Sequence, residues 1–155
     1  MIVNVHPSPV DMLNGGVPRV PQTDTDALRE AFDLAARSTS AAEARHRALA
    51  WLLRHSVAQD PAEAAVLIIS ELVTNAVLHS GSTVIGCTLR LDSGLLQIEV
   101  TDQGASQREP AIREPAADDV SGRGLLLVST LSKAWGVTPA RPSGRTVWAT
   151  VLMSD

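Results

Sequence analysis

The sequence predicts an α+β two-layer sandwich, its helices gathered on one face of a mostly antiparallel sheet. Two well-signalled helices precede two alternating strands joined by a tight turn. A third helix then precedes a second hairpin. The order β-α-α-β-β-loop-α-β-β lets neighbouring strands pair antiparallel and leaves the helices to cover one side. With 155 residues and 45% apolar content, the chain has the size and core material of one domain. Aromatic residues are scarce, with one Phe (Phe32), no Tyr and three Trp. Ala, Leu and Val must therefore do most of the packing, with Trp51, Trp135 and Trp148 expected in the core.

Residues 1–23 hold Pro7, Pro9, Pro18, Pro21 and Gly15–Gly16 without sustained periodicity. They read as an irregular or disordered N-terminal arm, and the domain is placed at 24–155. Ala31–Ala36 is locally ambiguous between helix and strand. Ser40-Ala-Ala-Glu43 has capping-box form, so a helix starts there and the preceding residues are free to be a strand. This first helix is expected to run to about Val57, with Ala48, Leu49, Leu52 and Leu53 inward and Arg45, Arg47 and Arg54 toward solvent. Asp60 as N-cap, Pro61 at the first helical position and Gly81 at C′ bound a second helix of roughly 30 Å. Ala64–Ile69 is apolar on every side, which predicts a buried helix. Thr83–Leu91 and Leu95–Thr101 alternate as strands around Asp92-Ser-Gly94, read as a three-residue hairpin loop with Gly94 left-handed. Residues 103–121 have no period and predict a long surface loop. A third helix is expected over Leu125–Ala134, closed by Gly136, and a last hairpin over Val137–Ala140 and Arg145–Met153.

Composition sets several roles aside. The net charge of −4 and scattered cations argue against direct nucleic-acid binding. No apolar run reaches the ~18 residues of a membrane span, and the N-terminus does not resemble a signal peptide. Cys87 is the only cysteine, which excludes an intramolecular disulfide and a cysteine-based metal cluster. A cytoplasmic protein is the expectation.

Three features could carry chemistry. Glu71 and Asn75 lie four residues apart on the second helix, hence on one face, and His79 continues the row. The helical neighbours of Glu71 are Leu67, Ile68, Thr74 and Asn75, so no cation on its own helix neutralises it. The row is either a solvent-facing polar stripe or the wall of a cleft holding a metal and a proton acceptor. Asp102-Gln-Gly104 leaves a strand, either as a plain turn or as a carboxylate set to accept a ligand's amino hydrogen with Gly104 permitting close approach. Ser121-Gly-Arg-Gly-Leu125 opens a helix, either as a flexible connection or as a phosphate site at the positive helix end. P-loop and dinucleotide fingerprints are absent.

Taken in order, Glu71-Leu-Val-Thr-Asn75, Asp102-x-Gly104, a long loop and Gly122-x-Gly124 resemble the N, G1 and G2 boxes of the GHKL (Bergerat-fold) ATP-binding superfamily. The resemblance spans about residues 38–152. Within it, Glu71 one turn before Asn75 and Gly144-Arg-Thr-Val-Trp148 look most like the anti-sigma-factor serine/threonine kinases. The resemblance implies ATP and Mg²⁺ as cofactors, with Asn75 as the metal ligand. It places Asp102 on the adenine amino group, Gly104 under the ring and Thr146 beside it. Gly122, Arg123, Gly124 and the Leu125 amide would hold phosphate, and residues 105–121 would be a lid. Glu71 would be the catalytic base for a serine or threonine hydroxyl in a kinase, or for water in an ATPase. The implied partners are an anti-anti-sigma antagonist protein and a sigma factor, and the implied assembly is a homodimer. Ser106 departs from the superfamily, where a second glycine is common, and Arg145 stands where related kinases often have Lys. His79 is read as a packing or hydrogen-bonding residue. A non-catalytic ATP/ADP-binding regulatory module, acting by protein–protein binding, is the alternative.

Overall fold

The computed structural model describes residues 28–104 and 119–153. The expected arm at 1–23 and residues 105–118 of the expected lid lie outside this range. In chain order the elements are β1 (Leu28–Ala35), α1 (Ser40–Arg54), α2 (Gln59–His79), β2 (Val84–Asp92), β3 (Leu95–Asp102), α3 (Asp119–Leu131), β4 (Ala134–Pro139) and β5 (Arg145–Leu152). The five strands form one antiparallel sheet in the order β1-β2-β3-β5-β4. The ambiguous Ala31–Ala36 stretch is resolved as strand: Phe32 and Leu34 enter the core opposite Cys87 and Ile85.

One sheet face carries Phe32, Leu34, Ile85, Cys87, Leu89, Leu96, Ile98, Val100, Ala149 and Val151, and the helices cover it. In α1 the buried row is Ala44, Ala48, Trp51 and Leu52. Leu49 and Leu53, expected inward, are 38% and 57% exposed, because Trp51 claims the inner face and the row runs through Ala44 and Ala48. In α2 the buried residues include Ala62, Ala65, Ile68, Ile69, Leu72, Val73 and Ala76. Leu67 is 45% exposed, so this helix is buried on a broad face rather than all round. By length and composition α2 is apolar enough to cross a membrane. Its apolar stripe is instead spent on the sheet and on α1, and each fully buried Leu or Ile there contributes about 1.5–3 kcal/mol.

Several boundaries differ from expectation for local reasons. The Ser40 hydroxyl does not cap α1: it donates to the Ala35 carbonyl and accepts the Arg37 N–H, tying the end of β1 to the helix start. Helix α2 begins at Gln59, with Asp60 in its first turn rather than at the cap, and Gly81 is left-handed (φ 74°) just past its C-cap Ser80. The β2–β3 connection is a two-residue turn. Asp92 pairs with Leu95, and both Ser93 and Gly94 have positive φ, the geometry of a twist-matched hairpin turn. Helix α3 ends at Leu131, and Ala134–Gly136 are strand. Trp51 and Trp135 are core residues. Trp148 lies on the other sheet face, half-buried over Gly136, where any Cβ would fall 2.8 Å from its ring.

Candidate functional site

Strand β3 alternates strictly, and its inward row Leu96, Ile98, Val100 ends on Asp102. The carboxylate is thus placed at the edge of the apolar face, only 5% exposed. An unpartnered charge there would cost several kcal/mol. Asp102 is not unpartnered: its Oδ1 accepts the Gly104 N–H at 2.8 Å, and its Oδ2 lies 3.6 Å from Arg145 Nε.

The strand exit around it is held from both sides. The Gln103 N–H donates to the Ser82 hydroxyl at 2.8 Å, and the Ser143 hydroxyl donates to the Gln103 carbonyl at 2.7 Å. Gly104 (φ 58°) and Gly144 (φ 90°) pack backbone to backbone. A Cβ on Gly104 would stand 2.7 Å from the Gly144 Cα, and one on Gly144 would overlap the Asp102 carbonyl. Gly104 is therefore required first by the protein's own chain, whatever it presents to a ligand.

Register decides what faces Asp102. Asp102 pairs with Arg145, and Thr101 with Thr146. Neighbouring residues of a strand point to opposite faces, so Thr146 is on the far side of the sheet, where its hydroxyl bonds Thr101 at 2.7 Å. The β5 residue facing Asp102 is therefore Arg145, and Thr146, expected beside the adenine ring, is on the other face. Sequence reasoning noted Arg145 only as a substitution; setting Thr101 opposite Thr146 would have revealed it as the partner of Asp102.

On α2, Glu71 and Asn75 are both half-buried on the face toward α3. Gly124 of α3 meets them: a Cβ there would lie 2.5 Å from Glu71 Oε1 and 3.9 Å from Asn75 Nδ2. The N-box and G2-box residues are thus brought together. His79 is an exposed residue in the last turn of α2.

The start of α3 differs from expectation. The helix opens at Asp119, so Gly122, Arg123, Gly124 and Leu125 lie inside it, and residues 119–121 of the expected lid are helix. Only the first four N–H groups of a helix lack an internal acceptor. Arg123, Gly124 and Leu125 lie past those donors, so their N–H groups are committed to carbonyls one turn back. The expected helix start at Leu125 is thus moved to Asp119.

The donors suit a magnesium nucleotide. Among the described residues no three His, Cys, Asp or Glu side chains come together as a cation cage. Asn75 offers an amide oxygen, which suits a cation that keeps most of its shell from phosphates and water. Asp102 offers a buried acceptor to an amino group, and Gly104 and Gly144 leave bare backbone beside it.

Three helices packed against one face of a five-stranded antiparallel sheet make an α+β two-layer sandwich. The family model described as the histidine kinase-like ATPase domain matches residues 34–151, and the chain belongs to that family. Domains of this kind bind ATP, usually with Mg²⁺. Among solved structures, the RsbU and RsbW domains of Rv1364c from Mycobacterium tuberculosis align with TM-score 0.61 and 21% identity over 83% of this chain and 33% of that one. The present chain thus spans about a third of that protein. The SiaB–SiaC complex from Pseudomonas aeruginosa aligns with TM-score 0.63 and 12% identity, covering 92% of this chain and 96% of the other. Both likenesses are of fold. No curated protein sequence is significantly similar to the chain.

Proposed function

We propose that the chain is an ATP–Mg²⁺-dependent serine/threonine protein kinase of the anti-sigma-factor type. Its substrate would be an anti-anti-sigma partner, and a sigma factor would be a second partner that it sequesters. The observation that carries the reading is Glu71 one turn before Asn75, both facing Gly124 of α3. Bound Mg–ATP supplies the transferable γ-phosphoryl group. Asn75 offers its amide oxygen to the cation, while Asp102, held by Gly104, accepts the adenine amino hydrogen. Gly122 and Arg123, near the start of α3, serve phosphate. Glu71 takes the proton from the attacking serine or threonine hydroxyl. That one structural neighbour includes an RsbW domain and the other is SiaB in complex with SiaC supports a role exercised through a protein partner. A cytoplasmic homodimer belongs to the same reading.

The test is transfer of radiolabel from γ-labelled ATP to a candidate antagonist. Glu71→Ala should slow transfer about 100-fold, a typical general-base contribution, while nucleotide affinity by calorimetry holds. Unchanged transfer would remove Glu71 from the mechanism.

One observation favours a second reading, a regulatory module that binds ATP or ADP without turnover. Arg145 already sits on the base-recognising carboxylate, a departure from the kinase pattern. Tight nucleotide binding with negligible transfer to every antagonist would select it.

A further inference from the structure

Gly124 is a glycine where the backbone does not ask for one. It is the sixth residue of α3, beyond any capping position. It is absent from the glycines with positive φ, which are Gly81, Gly94, Gly104 and Gly144. Its N–H lies past the donors at the helix start and is used inside the helix, so a free amide for phosphate is not the reason for the glycine. Glycine inside a helix loses more backbone entropy than alanine and weakens the helix.

The requirement comes from across the interface. The missing side chain opens the space that the Glu71 carboxylate occupies: a Cβ would stand 2.5 Å from Oε1 and 3.5 Å from Cδ. Asn75 Nδ2, at 3.9 Å, would be in ordinary contact and undisturbed. The atom in the way is the end of a flexible side chain, so the carboxylate would yield rather than the helices. To regain ordinary contact it must withdraw by about 1 Å, a displacement that can cost a reacting group about 100-fold in rate.

We propose that Gly124 is the positioning residue for Glu71, its bare Cα setting where the carboxylate stands between α2 and α3. This rests on the reading of Glu71 as proton acceptor. The bulk of one methyl group on α3 would then tune proton transfer without touching nucleotide.

The variants are Gly124→Ala, Glu71→Asp, their combination, and Glu71→Gln, with Mg–ATP as the probe and water or the antagonist hydroxyl as acceptor. Gly124→Ala should melt at or above the wild-type temperature and bind Mg–ATP within about threefold of wild type. Its kcat should fall about 100-fold with KM unchanged. Glu71→Asp draws the carboxylate back by one methylene, so adding Gly124→Ala to it should cost little more. A crystal structure of Gly124→Ala should show the Glu71 carboxylate shifted and α3 in place. Three results would overturn the proposal: affinity falling in step with rate, Gly124→Ala slowing Glu71→Asp as much as it slows wild type, or α3 moving while the carboxylate stays. Wild-type rates in Glu71→Gln would instead defeat the proton-acceptor reading, leaving the crystal structure to decide what Gly124 positions.

Discussion

Cys87 shows how far burial can silence a reactive group. It is 2% exposed on the inner face of β2, and its pKa is pushed up to about 12 from 9.0. Loss of hydration is the main cause; the Asp33 charge adds to it and Arg47 opposes it. The neutral thiol's contribution to stability is complete below pH 9. It is lost as pH rises toward 12, since the unfolded chain gives up its proton first. Stability should therefore decline between pH 9 and 12 more steeply in wild type than in Cys87→Ala, as read by urea midpoints. The native thiol should ignore a thiol reagent at pH 8 and react once the chain unfolds. At this scale Asp102 was legible as a candidate from its place in Thr101-Asp-Gln-Gly104. Its Arg145 neighbour was not, because the two are 43 positions apart and meet only through strand register.

At the scale of elements, the junction of the β3 exit with the β4–β5 turn is the most constrained piece of backbone. Gly104 and Gly144 touch, and both need the left-handed region. Gly104→Ala meets steric conflict as well as conformational cost, so it should destabilise by roughly 1–3 kcal/mol and loosen nucleotide binding by displacing the N–H that holds Asp102. Chemical denaturation and calorimetry read the two effects, and a fully stable Gly104→Ala would refute this account of the junction. Helix ends were less legible than helix existence. Ser40, a good cap by composition, is used to bind Ala35 and Arg37 instead, and Leu126, within an apolar run, is 65% exposed. Both outcomes follow from which neighbours tertiary packing supplies.

For the whole molecule, ligand binding and folding are linked. If Asp102 accepts from the base and Asn75 holds the cation, Mg–ATP binds only the folded chain. At a hundredfold excess over Kd it should add about 2.7 kcal/mol, visible as several degrees in Tm. Asp102→Asn should erase most of that shift. A full shift in Asp102→Asn would show that the nucleotide is held elsewhere.

The chain's order of elements, its α+β class and the identity of the Glu71, Asn75 and Asp102 candidates were determined by sequence alone. Period-2 and period-3.6 patterning, turn residues and motif spacing are local properties that survive without a partner surface. Tertiary structure decided which face of α1 is inner, that Thr146 turns away from Asp102 while Arg145 turns toward it, and that Gly124 lies against Glu71. Each of these is a contact between stretches distant in the chain, set by sheet register and helix packing. A shift of one residue in register reverses every side chain of a strand.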